Sequence, residues 1–198
     1  VGVWLRTDET EESVSALAML KDSLVKVNED VYQWKWAVIA AHNALQGFMV
    51  LALRNGNNLA IMSEKAAGKW LEAYREEKPL PEERLDSFHN LYKKIQGEYM
   101  LTLVTAKKLN ATPEQSRSTK KLNELRNEFI HFVPKGWSLE VSGLPEICLH
   151  VMEIIKFLGW ESNNILWYKP ALRTKAELLI SEINMALKEI ESIYQKSS

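Results

Sequence analysis

The sequence predicts an all-α protein: a single domain built as a helical bundle, with two of its helices forming a homodimer interface. Three observations lead there. Apolar residues recur at spacings of three and four from one end of the chain to the other, whereas alternating strand patterns are scarce. The composition is that of an ordinary globular chain, 46% hydrophobic and 26% charged over 198 residues, enough to bury a core unaided. No internal repeat, low-complexity linker or shift of composition divides the chain, so residues 1–198 read as one domain.

The first helix is expected over 9–28, where Val14, Leu17, Leu20, Leu24 and Val27 make an apolar stripe. Asp8 is placed to cap it, and Glu11 and Glu12 suit the positive end of the helix dipole. A second helix over 29–53 is richer in apolar residues and stops before Arg54-Asn55-Gly56-Asn57-Asn58. Its small residues Ala37, Ala40, Ala41, Ala44 and Gly47 permit close helix approach, which makes it the expected central helix. An extra short helix over 60–76 is closed by Lys78-Pro79-Leu80-Pro81. A long helix over 82–109 then carries Leu85, Phe88, Leu91, Tyr92, Ile95, Tyr99 and Leu103.

Thr112, Pro113 and Gln115 open the next helix, expected over 113–133: a cap, a proline at the first helical position and a capping-box partner. Pro134 and Gly136 stop it, and residues 134–143 form a loop or small hairpin, with a brief alternation at Trp137-Ser138-Leu139-Glu140-Val141. Two further helices, over 144–158 and 170–195, complete the bundle.

The formal net charge of −1 gives the molecule no general attraction for nucleic acid or anionic membrane, so any site for a polyanion must be local. Cys148 is the single cysteine; it rules out an internal disulfide and a paired-thiolate metal site, and its neighbours Ile147 and Leu149 mark it as a buried small hydrophobe. The most apolar stretch, 37–53, is interrupted by His42, Asn43 and Gln46 and reads as a buried helix rather than a membrane span. The opening VGVWLRTDETEE lacks a basic stretch followed by an apolar run, so a secretory signal is not expected, and a cytoplasmic location is. No His-Glu-x-x-His, EF-hand or glycine-rich phosphate loop occurs, so neither a metal nor a cofactor is expected.

One stretch stands out from packing: Leu125-Arg126-Asn127-Glu128-Phe129-Ile130-His131-Phe132. Leu122, Leu125, Phe129 and Phe132 form its core stripe; at helical spacing His131 lies roughly 140° from the stripe's centre and Arg126 roughly 80°. Glu124 and Asn127 share the polar side. Arg126 and His131 are about 7.5 Å apart along the axis and do not converge within one helix. A two-fold axis would gather two of each around one cleft. Arginine supplies a fixed fork of donors for a phosphate and histidine exchanges a proton near neutral pH. Together they suit metal-free RNA cleavage by an adjacent 2′-hydroxyl. Read without any relative, the same pattern is an ordinary solvated helix face.

The run RNEFIH at 126–131, on a late helix preceded by a long alanine-rich one, resembles the Arg-x(4–6)-His motif of the HEPN superfamily. The resemblance implies a HEPN-like helical bundle, commonly dimeric. It implies metal-independent endoribonuclease activity of toxin or antiphage-defence type, with Arg126 and His131 catalytic and Asn127 and Glu124 supporting or positioning substrate. An RNA substrate and an antitoxin or other regulatory protein are the partners it implies. Some toxin members continue the motif as His-x-Tyr; that position is Val133 here, so modification of a tyrosine there is not expected. Other members are noncatalytic nucleic-acid-binding or protein-interaction modules, which is the alternative reading; an accidental likeness in a purely structural protein is the third.

Lys107, Lys108, Arg117, Lys120 and Lys121 precede the motif against only Glu114 and Glu124, and are the candidates for contact with RNA backbone. Lys93 and Lys94 extend the patch if the fold brings them there. His42 reads as a satisfied core or interface histidine, with Asn43 and Gln46 able to support the motif helix; His89 reads as surface and His150 as part of a packed helix. Of the seven tryptophans, Trp34 and Trp36 flank Lys35 and point different ways, Trp70, Trp160 and Trp167 suit packing, and Trp137 is the candidate lip of a cleft.

Overall fold

The computed structural model describes residues 2–54, 56–131 and 134–196, and is all-helical, with no strand among them. Asn55 of the stop signal, Phe132 of the core stripe and Val133 beyond the motif histidine lie outside the described residues.

Helix α1, Glu9–Leu24, begins where Asp8 accepts hydrogen bonds from the backbone N–H groups of Thr10 and Glu11 at 2.9 and 2.8 Å. It ends four residues before its expected limit, because the chain passes through successive turns into α2, Gln33–Leu53. Asp30 fixes that corner: its carboxylate accepts from Tyr32 N–H at 3.0 Å and from Gln33 Nε2 at 2.8 Å, offering the backbone an alternative to the helix. Helix α2 is central. It packs against α1 and against α5, Pro113–Ile130, and α6, Leu144–Lys156, while α7, Pro170–Lys196, bridges α1 and α6 on the outside. The close approach of α1 and α2 rests on Gly47, where a Cβ atom would overlap Ser13 Oγ. By length and apolarity α2 passes for a membrane span, yet Phe48, Met49, Leu45 and most of its alanines are buried inside the bundle.

The long helix expected over 82–109 does not form. In its place stands α4, Phe88–Lys94, only seven residues long. Residue 85 instead pairs across an isolated bridge with Met62, and Ser87 caps α4 by accepting from Asn90 N–H at 3.2 Å. The reason is Lys94. Its buried ammonium meets Asp86 at 2.9 Å and donates to the carbonyls of Ala60 and Met62, which ties the end of α4 back to segments that precede it and brings Asp86 closer than the ~12 Å that eight residues of continuous helix would leave. After Gly97 the chain doubles back, and Leu109 N–H bonds to Ile95 O at 2.9 Å, so both apolar residues reach the core without a continuous helix.

The extra short helix α3, Glu64–Arg75, is capped by Ser63 and has no fully buried residue. Helix α6 passes into a π-helical turn, Phe157–Glu161, whose Gly159 lies against Phe48. Trp160 and Trp167 pack there on each other and on Phe48, at centroid distances of 5.3 to 6.1 Å, in the packing role the sequence suggests. Residues 134–143 are irregular backbone, the loop rather than the hairpin. Cys148 is buried and free, its thiol pushed up to about 12 by burial.

Candidate functional site

Helix α5 carries the motif, and its start is set locally. Thr112 Oγ1 accepts from Gln115 N–H at 3.2 Å while Gln115 Oε1 accepts from Thr112 N–H at 3.1 Å, the reciprocal capping box, with Pro113 at the first turn. Its last described contact is His131 N–H to Asn127 O at 2.8 Å, which makes His131 the C-terminal cap. The His131 ring is exposed and has no hydrogen-bond partner among the described residues.

Arg126 sits differently. Ser118 and Thr119 are buried with Leu122 and Leu125, which moves the centre of the inner face of α5 to roughly 50° from Arg126 and roughly 170° from His131. The arginine is therefore half-buried, with Nε wholly covered and Nη1 donating to Asn127 Oδ1 at 3.0 Å on the surface. It forms no ion pair among the described residues. Glu124 faces Lys120, at 4.0 Å, not Arg126.

The residue on the inner side of Arg126 is His42 of α2, 2% exposed and stacked on Phe88 at 4.1 Å. Its Nε2 lies 3.0 Å from Asn123 Oδ1. A carbonyl oxygen only accepts, so Nε2 carries the proton and Nδ1 is a lone pair. The ring is pushed down from 6.5 to about 4, first by burial and further by the Arg126 charge, against the side-chain amides of Asn123 and Asn43. His42 is thus a neutral core histidine at physiological pH, as its sequence context suggests. Its link to the motif helix was not foreseen. The signal was present: Thr119, Asn123 and Arg126 recur at i, i+4 and i+7 beside the apolar stripe.

The basic candidates divide. Arg117 pairs with Glu114 at 2.7 Å and Lys108 with Glu98 at 3.0 Å. Lys107 and Lys108 line a cavity of about 580 Å³ with Thr112 and Gln115, at the opposite end of α5 from the motif. An 18-residue helix spans about 27 Å, so those two lysines do not adjoin Arg126. Lys120 lies on the exposed face shared with Asn127 and His131, and Lys121 is exposed roughly 80° or more round the helix from them. Lys94 is occupied in the core and does not extend the patch.

Beside the motif end of α5 lies a cavity of about 510 Å³ walled by Tyr32, Lys35, Glu128, Phe129 and Trp137. Trp137 is 41% exposed and leans on Phe129 at 5.2 Å in the wall of this cavity, which none of Arg126, Asn127 and His131 lines. Glu128 is held by Lys135 at 2.7 Å. His150 meets Ser118 Oγ at 2.9 Å between α5 and α6, and His89 is exposed. No cluster of three or more His, Cys, Asp or Glu side chains able to hold a metal occurs among the described residues.

No protein-family model, curated protein or solved structure matches the chain. The motif end of α5 presents a guanidinium with no carboxylate partner among the described residues, an exposed amide bonded to it, and an exposed imidazole one turn beyond.

Proposed function

We propose that this chain is a HEPN-like, metal-independent endoribonuclease that acts as a homodimer. The observation that carries the reading is Arg126: its charge has no carboxylate partner among the described residues, and its Nη1 reaches the surface at Asn127, one turn before the exposed His131. An arginine left unneutralised at the same helix end as an open histidine suits a phosphodiester better than it suits a stabilising ion pair. In the proposed reaction a histidine takes the proton from the 2′-hydroxyl as that oxygen attacks the adjacent phosphorus. The 5′-oxygen leaves with a proton from the histidine of the second copy, giving a 2′,3′-cyclic phosphate and a free 5′-hydroxyl. Arg126 offsets the charge that grows on the phosphoryl oxygens, and Asn127 holds the guanidinium.

A noncatalytic HEPN-like binding module is the second reading, and the buried Nε of Arg126 favours it, since one of the three guanidinium nitrogens is turned to the interior. The deciding experiment is cleavage of a mixed, end-labelled RNA in EDTA by the parent, Arg126→Gln and His131→Ala, with oligomeric state followed by light scattering. Cleavage by the parent and a loss of about 10²-fold or more in either dimeric variant is the expected result, on the scale of removing a general acid or base. Binding of the RNA without cleavage by any of the three would establish the module instead.

A further inference from the structure

The cavity of about 510 Å³ at the motif end of α5 takes four aromatic side chains into its wall, Tyr32, Trp34, Phe129 and Trp137. Trp34 is 1% exposed and its Nε1 donates to Tyr194 Oη at 2.9 Å, so it is the fixed part of that wall. Trp137 leans on Phe129, and the Lys135–Glu128 ion pair at 2.7 Å ties its loop to α5. Tyr32 comes from another segment, the corner before α2, and is 80% exposed. It makes no ring contact with Trp137 among the described residues, so neither ring covers the other. An uncovered aromatic face is a stacking platform that a nucleobase of any identity can use.

The charge of the wall narrows the ligand further. Its charged side chains are Glu128 and Lys35. Glu128 is neutralised by Lys135, whereas the Lys35 ammonium has no carboxylate partner among the described residues and rests over the Trp36 ring at 5.0 Å. A cation–π contact at an exposed site is weak, so that ammonium can turn to an anion. Open aromatic faces with one uncompensated cation suit a nucleotide, the base on the rings and the phosphate on the lysine. An aliphatic ligand would use neither. We propose that this cavity is a nucleotide subsite for single-stranded RNA, which stacks one base on Trp137 and Tyr32 and meets its phosphate with Lys35. Phe129 follows Arg126 by three residues and Glu128 precedes His131 by three, spacings that set Cβ atoms about 5–6 Å apart on a helix. The subsite therefore lies one side chain away from the motif without containing it, and holds a nucleotide that flanks the one at Arg126. Its assignment to an RNA strand rests on the reading of the motif as a phosphodiester site; its affinity for a nucleotide does not.

The test measures binding of AMP, adenosine and ribose 5-phosphate to the full chain by saturation-transfer NMR. AMP should bind about tenfold more tightly than ribose 5-phosphate, and Tyr32→Ala and Trp137→Ala should each weaken AMP by about tenfold, the scale of one base on one aromatic face. Trp137→Phe keeps a ring and should retain most of the affinity, which covers loss of folding by the alanine variant. Lys35→Gln should weaken AMP several-fold and leave adenosine unchanged, while Lys108→Gln, at the far end of α5, should alter neither. A hexamer of 2′-O-methyl adenylate, which has no free 2′-hydroxyl and cannot be cut, should bind more tightly than AMP. Ribose 5-phosphate that binds as tightly as AMP, AMP binding indifferent to both Tyr32 and Trp137, or no binding of AMP by the parent overturns the subsite. A hexamer held no more tightly than AMP overturns its assignment to a strand and makes it a site for a free nucleotide. Base-dependent binding by a parent that cuts no RNA keeps the subsite and removes the ribonuclease reading; RNA cleavage without AMP binding does the reverse.

Discussion

Acid should destabilise this protein through one side chain before its carboxylates are involved. His42 is buried and neutral, pushed down from 6.5 to about 4. Its contribution is complete above 6.5, the value it regains on unfolding, and is lost as pH falls toward 4, because the unfolded chain binds the proton that the folded one refuses. A difference of about 2.5 units corresponds to roughly 3 kcal/mol once the loss is complete, of which about 2 kcal/mol is already gone between pH 7 and pH 5. Asp8 and Asp86 are held below the usual carboxylate range, by backbone and side-chain hydrogen bonds that outweigh the burial of Asp86, so they stay ionised in that interval. The assay is urea unfolding followed by tryptophan fluorescence at pH 7 and pH 5, for the parent and for His42→Leu. With a slope of about 2 kcal/mol per molar urea, the parent midpoint should fall about 1 M further than that of the variant. Groups common to both proteins cancel in that comparison. Equal shifts in the two proteins would refute the argument that His42 is neutral because it is buried beside Arg126.

Other substitutions probe the frame around the site. Lys94→Met leaves the Asp86 carboxylate, 6% exposed, without its cation and should cost about 3 kcal/mol in chemical denaturation, as breaking a buried pair does; a loss within that of a surface mutation would contradict the staple. Gly47→Ala forces a methyl onto Ser13 Oγ and should cost about 1–3 kcal/mol, with part regained in Gly47→Ala/Ser13→Ala; an unchanged melting temperature would show that α1 and α2 can move apart freely. The Cys148 thiol, buried and pushed up to about 12, should ignore a thiol reagent at pH 8 in the native protein and react once per chain in denaturant. Rapid native reaction would place it at the surface.

The elements most legible in the sequence were those decided within a few residues. Asp8, Thr112 and Gln115 act on backbone groups two or three positions away, and so the starts of α1 and α5 could be read directly. The long helix over 82–109 was misread because its periodicity is genuine but its fate is decided by Lys94, which bonds residues more than thirty positions earlier. Propensity yields there to a tertiary contact. Arg126 was placed too far from the core for a related reason. Ser118 and Thr119 count as polar in a hydrophobic pattern, yet both are buried, and including them turns the inner face of α5 toward the arginine. His42 was correctly assigned to the interior, while its neighbour across the seam depended on how α2 and α5 pack.

The Lys94 ammonium also has a consequence for how the chain opens. Residues 62 and 85 form a bridge, Ala60 and Met62 are tied to α4, and the intervening segment sends out α3, which buries none of its residues fully. The excursion is a loop with a locked root: its ends are fastened together while its body draws little stability from the bundle. Such a segment can unfold alone, at a free energy well below that of the whole protein, because the latch spares the remainder the entropy of an open loop. Partial opening, a protease cut or a change of length within 64–75 is therefore absorbed outside α2 and α5, and the seam that holds His42 against the motif helix is mechanically insulated from it.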